Sequence, residues 1–244
     1  MMKKLFACLL AVMMTFSCAA ALADTLVLAT SADFPPYEFI DGDNYAGIDI
    51  ELAQALAEKM GYEALEVNDM DFNSVISQVS TGKADIGMAG LSATSERMAN
   101  IYFTVSYATG IQVVIVKDGS PIASVDDLAG GNYKIGVQMG TTGDIYVSDE
   151  FGDSAVQFYS GIEAVEALKN GKVDCVIIDN EPAKSFVANN EGLKILETKY
   201  AEESYAICIS KNNVELLGKV SAALQDLMAD GTVDEIVSKY IPAE

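Results

Sequence analysis

The sequence contains no histidine and no tryptophan. Of its 15 basic residues only Arg97 is an arginine; the others are lysines. Without histidine, Ser-His and Cys-His catalysis are excluded, and the commonest zinc ligand is missing. No other residues fall at metal-ligand spacing, so neither a metal nor a cofactor is expected. Cysteine is scarce: Cys8, Cys18, Cys175 and Cys208. Cys175 and Cys208 stand in the apolar runs "VDCVIID" and "YAICIS" and read as buried strand residues. In an exported protein they are either free or bridged, and spacing alone does not decide. Positive charge is short as well, with a formal net charge of −21. So acidic a surface repels nucleic acid and anionic membranes and favours a free monomer. Low-complexity tracts are missing, and half of the residues are hydrophobic, so a folded core is expected.

What is present begins with a leader. Lys3 and Lys4 precede an apolar run from Leu5 to Met14, and Ala21-Leu22-Ala23 closes it. Residues 1–23 therefore read as a secretory signal peptide, the apolar run being short for a bilayer span. Cleavage after Ala23 removes two lysines and brings the net charge to −23. Alternatively, Ser17-Cys18-Ala19 is processed and Cys18 carries a lipid anchor. Beyond residue 24 no run is long enough to cross a membrane.

The remainder alternates short β-rich runs with helical periodicity. "TLVLAT" reads as a strand, and "IDIELAQALAEKMG" as a helix with Leu52, Ala53, Leu56, Ala57 and Met60 on one face. "DFNSVISQVSTG" is a second helix and "ADIGMAG" a strand. "YKIGVQMG", "IEAVEALKNG" and "VDCVIID" repeat the alternation, and residues 214–229 and "TVDEIVSKYI" close the chain as helices. This is an α/β pattern with mainly parallel sheets. Two segments echo each other: "QVSTGKADIGMAG" and "EALKNGKVDCVIID" each run helix, Gly-Lys break, Asp, strand. Gly82 and Gly171 lie 89 residues apart, as do Asp85 and Asp174. Either the chain has two similar lobes or the echo is an ordinary helix–strand connection. With two lobes, the β-rich runs 105–119 and 198–210 would cross between them. Lobe one is then 24–109 plus 204–244, and lobe two is 110–203.

In open parallel sheets ligands sit beyond the carboxyl ends of strands, near helix N-termini. That rule selects "ATSADFPPYEF", "MAGLSATSER", "QMGTTGD" and "IIDNEPA". Arg97 offers a planar fork for a carboxylate. Ser92 and Thr142 offer hydroxyls and unpaired N–H groups at turn and helix starts. Asp179 suits an ammonium, and Gly90 lets a backbone carbonyl approach closely. One cation, one anion and neutral donors describe a receptor for a zwitterion such as an amino acid. Each residue also has an ordinary role open to it. Arg97 could be solvated, Ser92, Thr142 and Asp179 could cap helices, and Phe34 and Phe72 could be core.

Those segments, together with "GIDIELAQALAEKMG", "DFNSVISQVSTGKADIGMAGLSATSERMANIYFTVSY", "IGVQMGTTGD", "VDCVIIDNEPA" and "LMADGTVDEIVSKYI", resemble the polar amino-acid-binding solute-binding proteins of ABC importers. The resemblance runs through nearly the whole chain after the leader. It implies a two-lobed periplasmic-binding-protein-like fold, each lobe a mainly parallel sheet flanked by helices, joined by two crossing strands. It implies that an amino acid is enclosed between the lobes and delivered to a membrane permease. By the same resemblance Arg97 clamps the α-carboxylate with Ser92 and Thr142, while Gly90 and Asp179 receive the α-ammonium. Phe34 stacks on the ligand side chain opposite Phe72. Basic-ligand members often carry an acid where this chain has Ser31, although Asp33 and Glu38 are near. The expected order of ligands is neutral or polar, then basic, then acidic. A lyase of the same fold and a sensor read by a separate receptor are the alternatives.

Truncating one partner of a buried charge pair costs roughly 2–5 kcal/mol. Arg97→Ala is therefore expected to weaken amino-acid binding at least about thirtyfold, at ~1.4 kcal/mol per tenfold. Calorimetry showing unchanged affinity would remove Arg97 from the site.

Overall fold

A computed structural model describes residues 24–130 and 132–242. The leader reading and Cys18 lie outside these residues. The first half runs β1 (Thr25–Thr30), β2 (Asp33–Phe34), β3 (Glu38–Asp41), β4 (Asn44–Ala46), α1 (Ile48–Met60), β5 (Ala64–Asp69), α2 (Phe72–Ser80), β6 (Ile86–Gly87), α3 (Ser95–Met98) and β7 (Ile101–Lys117). The second runs β8 (Ile135–Gln138), α4 (Thr142–Phe151), β9 (Ala155–Phe158), α5 (Gly161–Lys169), β10 (Cys175–Asp179), α6 (Asn180–Ala188), β11 (Leu193–Ile195), β12 (Ala201–Ser210), α7 (Val214–Ala229) and α8 (Thr232–Tyr240).

The two lobes share one ladder rather than owning separate sheets. Its order is β5-β1-β6-β12-β7-β10-β8-β9, with β11 on the far half of β7. β5, β1 and β6 are parallel in the first lobe, and β9, β8 and β10 in the second. The link is β7, 17 residues long, which pairs antiparallel with β12 along its first part and with β10 along its last. β12 carries register shifts between Tyr205 and Cys208, where the two strands pass between the lobes.

Each lobe buries both faces of its sheet, as the period of two requires. Leu26 and Leu28 face α1, α7 and α8, while Ala29 faces Val75 and Val79 of α2. In the second lobe Val113 and Ile115 pack with α5 and α6, while Val114 and Val116 pack with Val147 of α4. Full burial of one such aliphatic side chain stabilises by about 1.5–3 kcal/mol. β6 is shorter than its sequence suggests: only Ile86 and Gly87 pair, and the chain then turns into the cleft.

The echoed segments are the same structural unit twice. Gly82 and Gly171 end α2 and α5 at positive φ, 75° and 69°. Lys83 N–H closes onto Gln78 O, and Lys172 N–H onto Ala167 O, each at 2.9 Å. Asp85 then accepts the N–H of Val27 on β1 at 2.9 Å, and Asp174 that of Lys134 just before β8 at 2.8 Å. Each aspartate thus pins the neighbouring parallel strand whose far end opens on the cleft.

Cys175 and Cys208 are free and buried in different cores. Burial pushes both thiols up to about 12, which suppresses the thiolate. The folded protein is therefore expected to leave both unreacted with a water-soluble thiol reagent, and to expose both in denaturant. Loss of either signal in denaturant would mean a disulfide.

Candidate functional site

The carboxyl ends of β1, β8 and β10 and the turn after β6 meet in one cavity where the lobes face each other. Five of the seven residues implicated by sequence line it: Phe34, Phe72, Gly90, Thr142 and Asp179. So do Ser31, Asp33 and Glu38. Arg97 and Ser92 stand just outside, in two grooves that share Phe72, Thr142 and Glu203 with the cavity.

Arg97 is buried on α3, whose start is capped by Thr94 Oγ1. Its guanidinium lies 5.4 Å from the Phe72 ring centroid and donates to Ser92 O at 2.9 Å. It also donates to Gly140 O of the second lobe at 3.0 Å. A guanidinium has five N–H donors, so this geometry leaves others for an anion. The Ser92 hydroxyl is already donated to Glu203 Oε2 at 3.0 Å, so Ser92 has only acceptor capacity left at its Oγ.

Helix α4 presents Thr142 without using it as a cap. Thr141 does the capping: its Oγ1 accepts from Asp144 N–H, while Asp144 Oδ2 accepts from Gly140 N–H. This reciprocal pair fixes the "GTTGD" turn and leaves the first N–H groups of α4 facing the cavity. Asp179 does cap its helix, accepting from Glu181 N–H at 3.0 Å. It also accepts from Ile111 N–H at 2.9 Å and from Tyr205 Oη–H at 2.6 Å. The capping and site readings of Asp179 are therefore compatible. Burial raises its carboxyl to about 6 against the pull of these donors. Gly110 makes room for this knot: a Cβ there would lie 2.4 Å from the Tyr205 hydroxyl.

Phe34 touches the cores of both lobes. It stacks on Tyr37 at 5.9 Å, and Tyr37 meets Tyr205 edge-on at 5.1 Å. Gly90 has φ 54°, and a Cβ would come within 2.9 Å of Phe34, so both backbone and space require glycine. Its N–H is held by Asp49 of α1 at 3.1 Å.

Sequence reasoning missed Gln112, Gln138, Glu203 and Tyr205, all lining the cavity. The signal was present for two of them, since Glu203 and Tyr205 alternate on a run already read as a crossing strand. Gln138 reaches across the cleft toward Asp33 Oδ2 at 3.4 Å, and Gln112 donates to Glu203 at 3.3 Å. The cavity lining thus holds Asp33, Glu38, Asp179 and Glu203 and no lysine or arginine. Asp33 is raised to about 6, chiefly by burial. Glu38 is fully buried, neither of its oxygens has a donor, and burial beside Asp49 raises it well above the usual carboxylate range.

A two-lobed α/β protein with such a closed cleft is a receptor for a small ligand. The chain belongs to the bacterial extracellular solute-binding proteins, family 3, whose model matches residues 26–243. It is 32% identical over 224 residues to the arginine-binding extracellular protein ArtP of Bacillus subtilis, spanning 90% of this chain and 87% of that one. Among solved structures it is similar to the arginine-, lysine-, histidine-binding protein ArtJ of Geobacillus stearothermophilus, with TM-score 0.84 and 32% identity over 90% of this chain and 96% of the other. An ancestral arginine-binding protein bound to arginine gives TM-score 0.83 and 37% identity, covering 89% and 98%.

Proposed function

We propose that this protein captures a basic amino acid, arginine before lysine, and delivers it to the membrane permease of an ABC importer. The observation that carries the reading is the charge of the cavity. Four carboxyl groups line it, no cationic side chain does, and Glu38 has no hydrogen-bond partner. A buried carboxylate needs a partner or must take up a proton. The α-ammonium satisfies one such group, Asp179. A second cation, on the ligand side chain, satisfies Glu38 and Asp33. A neutral side chain leaves Glu38 without a charge partner, and an acidic one adds repulsion. This reverses the order drawn from Ser31, because Glu38 and Asp33 supply the acid that Ser31 lacks.

Several relatives support the reading through names that specify arginine, while others are named for histidine, glutamine or cystine. They and the family are binding proteins, and this chain is one rather than a lyase. The family is extracellular, which suits residues 1–23 as an export signal. In our account the α-carboxylate meets Arg97 and the first turn of α4, with Phe34 and Phe72 flanking the side chain. The hinge lies on β7 and β12, dividing lobe one (24–109 and 204–244) from lobe two (110–203). Contacts to both lobes exist only when the cleft is shut, so the ligand favours closure by its differential affinity.

A thermal-shift screen of the purified mature protein against the twenty amino acids tests this. Ligand at 100 times its dissociation constant adds about 2.7 kcal/mol of stability. The largest shifts are expected from arginine and lysine. A larger shift from glutamine or glutamate would overturn the basic-ligand reading.

A further inference from the structure

Glu38 and Asp49 form a carboxyl pair at the floor of the cavity, and both are fully buried. Their placement follows from the backbone. The first N–H groups of α1 bond to Pro36 O at 3.1 Å and Tyr37 O at 2.8 Å. The helix start is thereby seated on the segment that carries Glu38, and Asp49 in its first turn faces Glu38. Asp49 is the foremost charge acting on Glu38, and neither Glu38 oxygen has a donor to offset it. Two ionised carboxylates are acceptors only and repel each other, so a buried pair of this kind favours a proton on one of them.

The surroundings decide which group holds it. Asp49 receives the Tyr107 hydroxyl at 2.6 Å and the Gly90 N–H at 3.1 Å, and it sits at a helix N-terminus, where an anion is favoured. Glu38 receives nothing from a donor group. The ionisable groups acting on Glu38 are Asp49 on α1, Asp33 on β2 and Asp69 on β5, all acidic. Tyr37 and Tyr107 are its phenolic neighbours, and Asp179 and Glu203 share its cavity. Nothing in this set stabilises a second negative charge on Glu38.

We propose that Glu38 carries a proton while the cleft is empty, and that the side-chain cation of an arriving ligand expels this proton and takes its place. The proton leaves to solvent, so the charge of the cavity is the same before and after. Glu38 is then the group that tells a cationic side chain from a neutral one. Asp49 acts through it as a positioning residue that also holds the Gly90 turn. The inference rests on the basic-ligand reading. Burial places Asp49, Asp33 and Asp179 each at about 6 and Glu38 well above its usual range. Near pH 7.5 the three aspartates are therefore almost fully ionised, and a released proton traces to Glu38.

The test is calorimetric titration of the mature protein with L-arginine at pH 7.5, in two buffers of different ionisation enthalpy. Proton release, up to about one proton per arginine bound, should accompany binding. Arginine affinity should rise with pH between 6.5 and 8, approaching about tenfold per unit at full exchange. In Glu38→Gln, which keeps the shape but has no proton to lose, release at pH 7.5 should vanish and the pH dependence flatten. Normal arginine binding with no release by the wild type overturns the exchange and leaves the ligand reading standing. Release retained in Glu38→Gln overturns the assignment to Glu38. Failure of arginine and lysine to bind overturns the ligand reading and the exchange together.

Discussion

A carboxyl group buried without a donor is the constraint on which the rest of this cleft depends. Glu38 is held under the hairpin of β2–β4 by the pairing of Phe34 with Glu38 and by the seat of α1 on residues 36 and 37. Ionised and alone, it would carry a desolvation cost of several kcal/mol. Its neighbours add negative charge and no cation. On the basic-ligand reading the cavity accepts either a proton or a ligand cation at that point. Phe34 and Phe72 add apolar surface beside it.

The second constraint is mechanical. One ladder passes through both lobes by way of β7 and β12, which we propose as the hinge. Among the described residues the side-chain hydrogen bonds across the cleft are few: Arg97 to Gly140, Ser92 to Glu203, Gln138 to Asp33, Asn73 to Met139 and Tyr205 to Asp179. Four of these join residues that line the cavity or flank it, so on the proposed reading ligand contacts and closure contacts draw on the same groups. Arg97, which we propose meets the ligand carboxylate, also makes one of these links. Its fork spans the gap to a second-lobe carbonyl while keeping donors free, which a lysine ammonium, lacking the planar fork, does less well.

Much of this could be read from the sequence, for physical reasons specific to each element. α7 carries a regular apolar face, and its bounds of 214–229 were legible; so was β1, an apolar run ended by Ser31 and Ala32. The echo of Gly82 and Asp85 in Gly171 and Asp174 was legible because a helix end and a strand anchor each demand a particular residue. The four strand-end loops were legible through the rule that ligands bind there. The alternation of Glu203 and Tyr205 put them on one face of β12, but only the packing of the two lobes shows that this face meets the cleft. The choice of Thr141 over Thr142 as cap depended on Asp144, a contact made only once the turn forms. Nothing local marks Glu38 or Asp49 as buried: both are charged residues, and only the seat of α1 on the hairpin takes them out of water.

The central claim is that the cleft selects for positive charge on the ligand side chain. L-Citrulline has nearly the shape of L-arginine and lacks that charge, so the pair isolates the effect. Calorimetric affinities of the mature protein for both at pH 7.5 test it most directly. Arginine is expected to bind at least about tenfold tighter, a difference of ~1.4 kcal/mol. This is less than the cost of an unpaired buried charge, because Glu38 keeps its proton beside a neutral ligand. Equal affinities, or tighter binding of citrulline, would contradict the account.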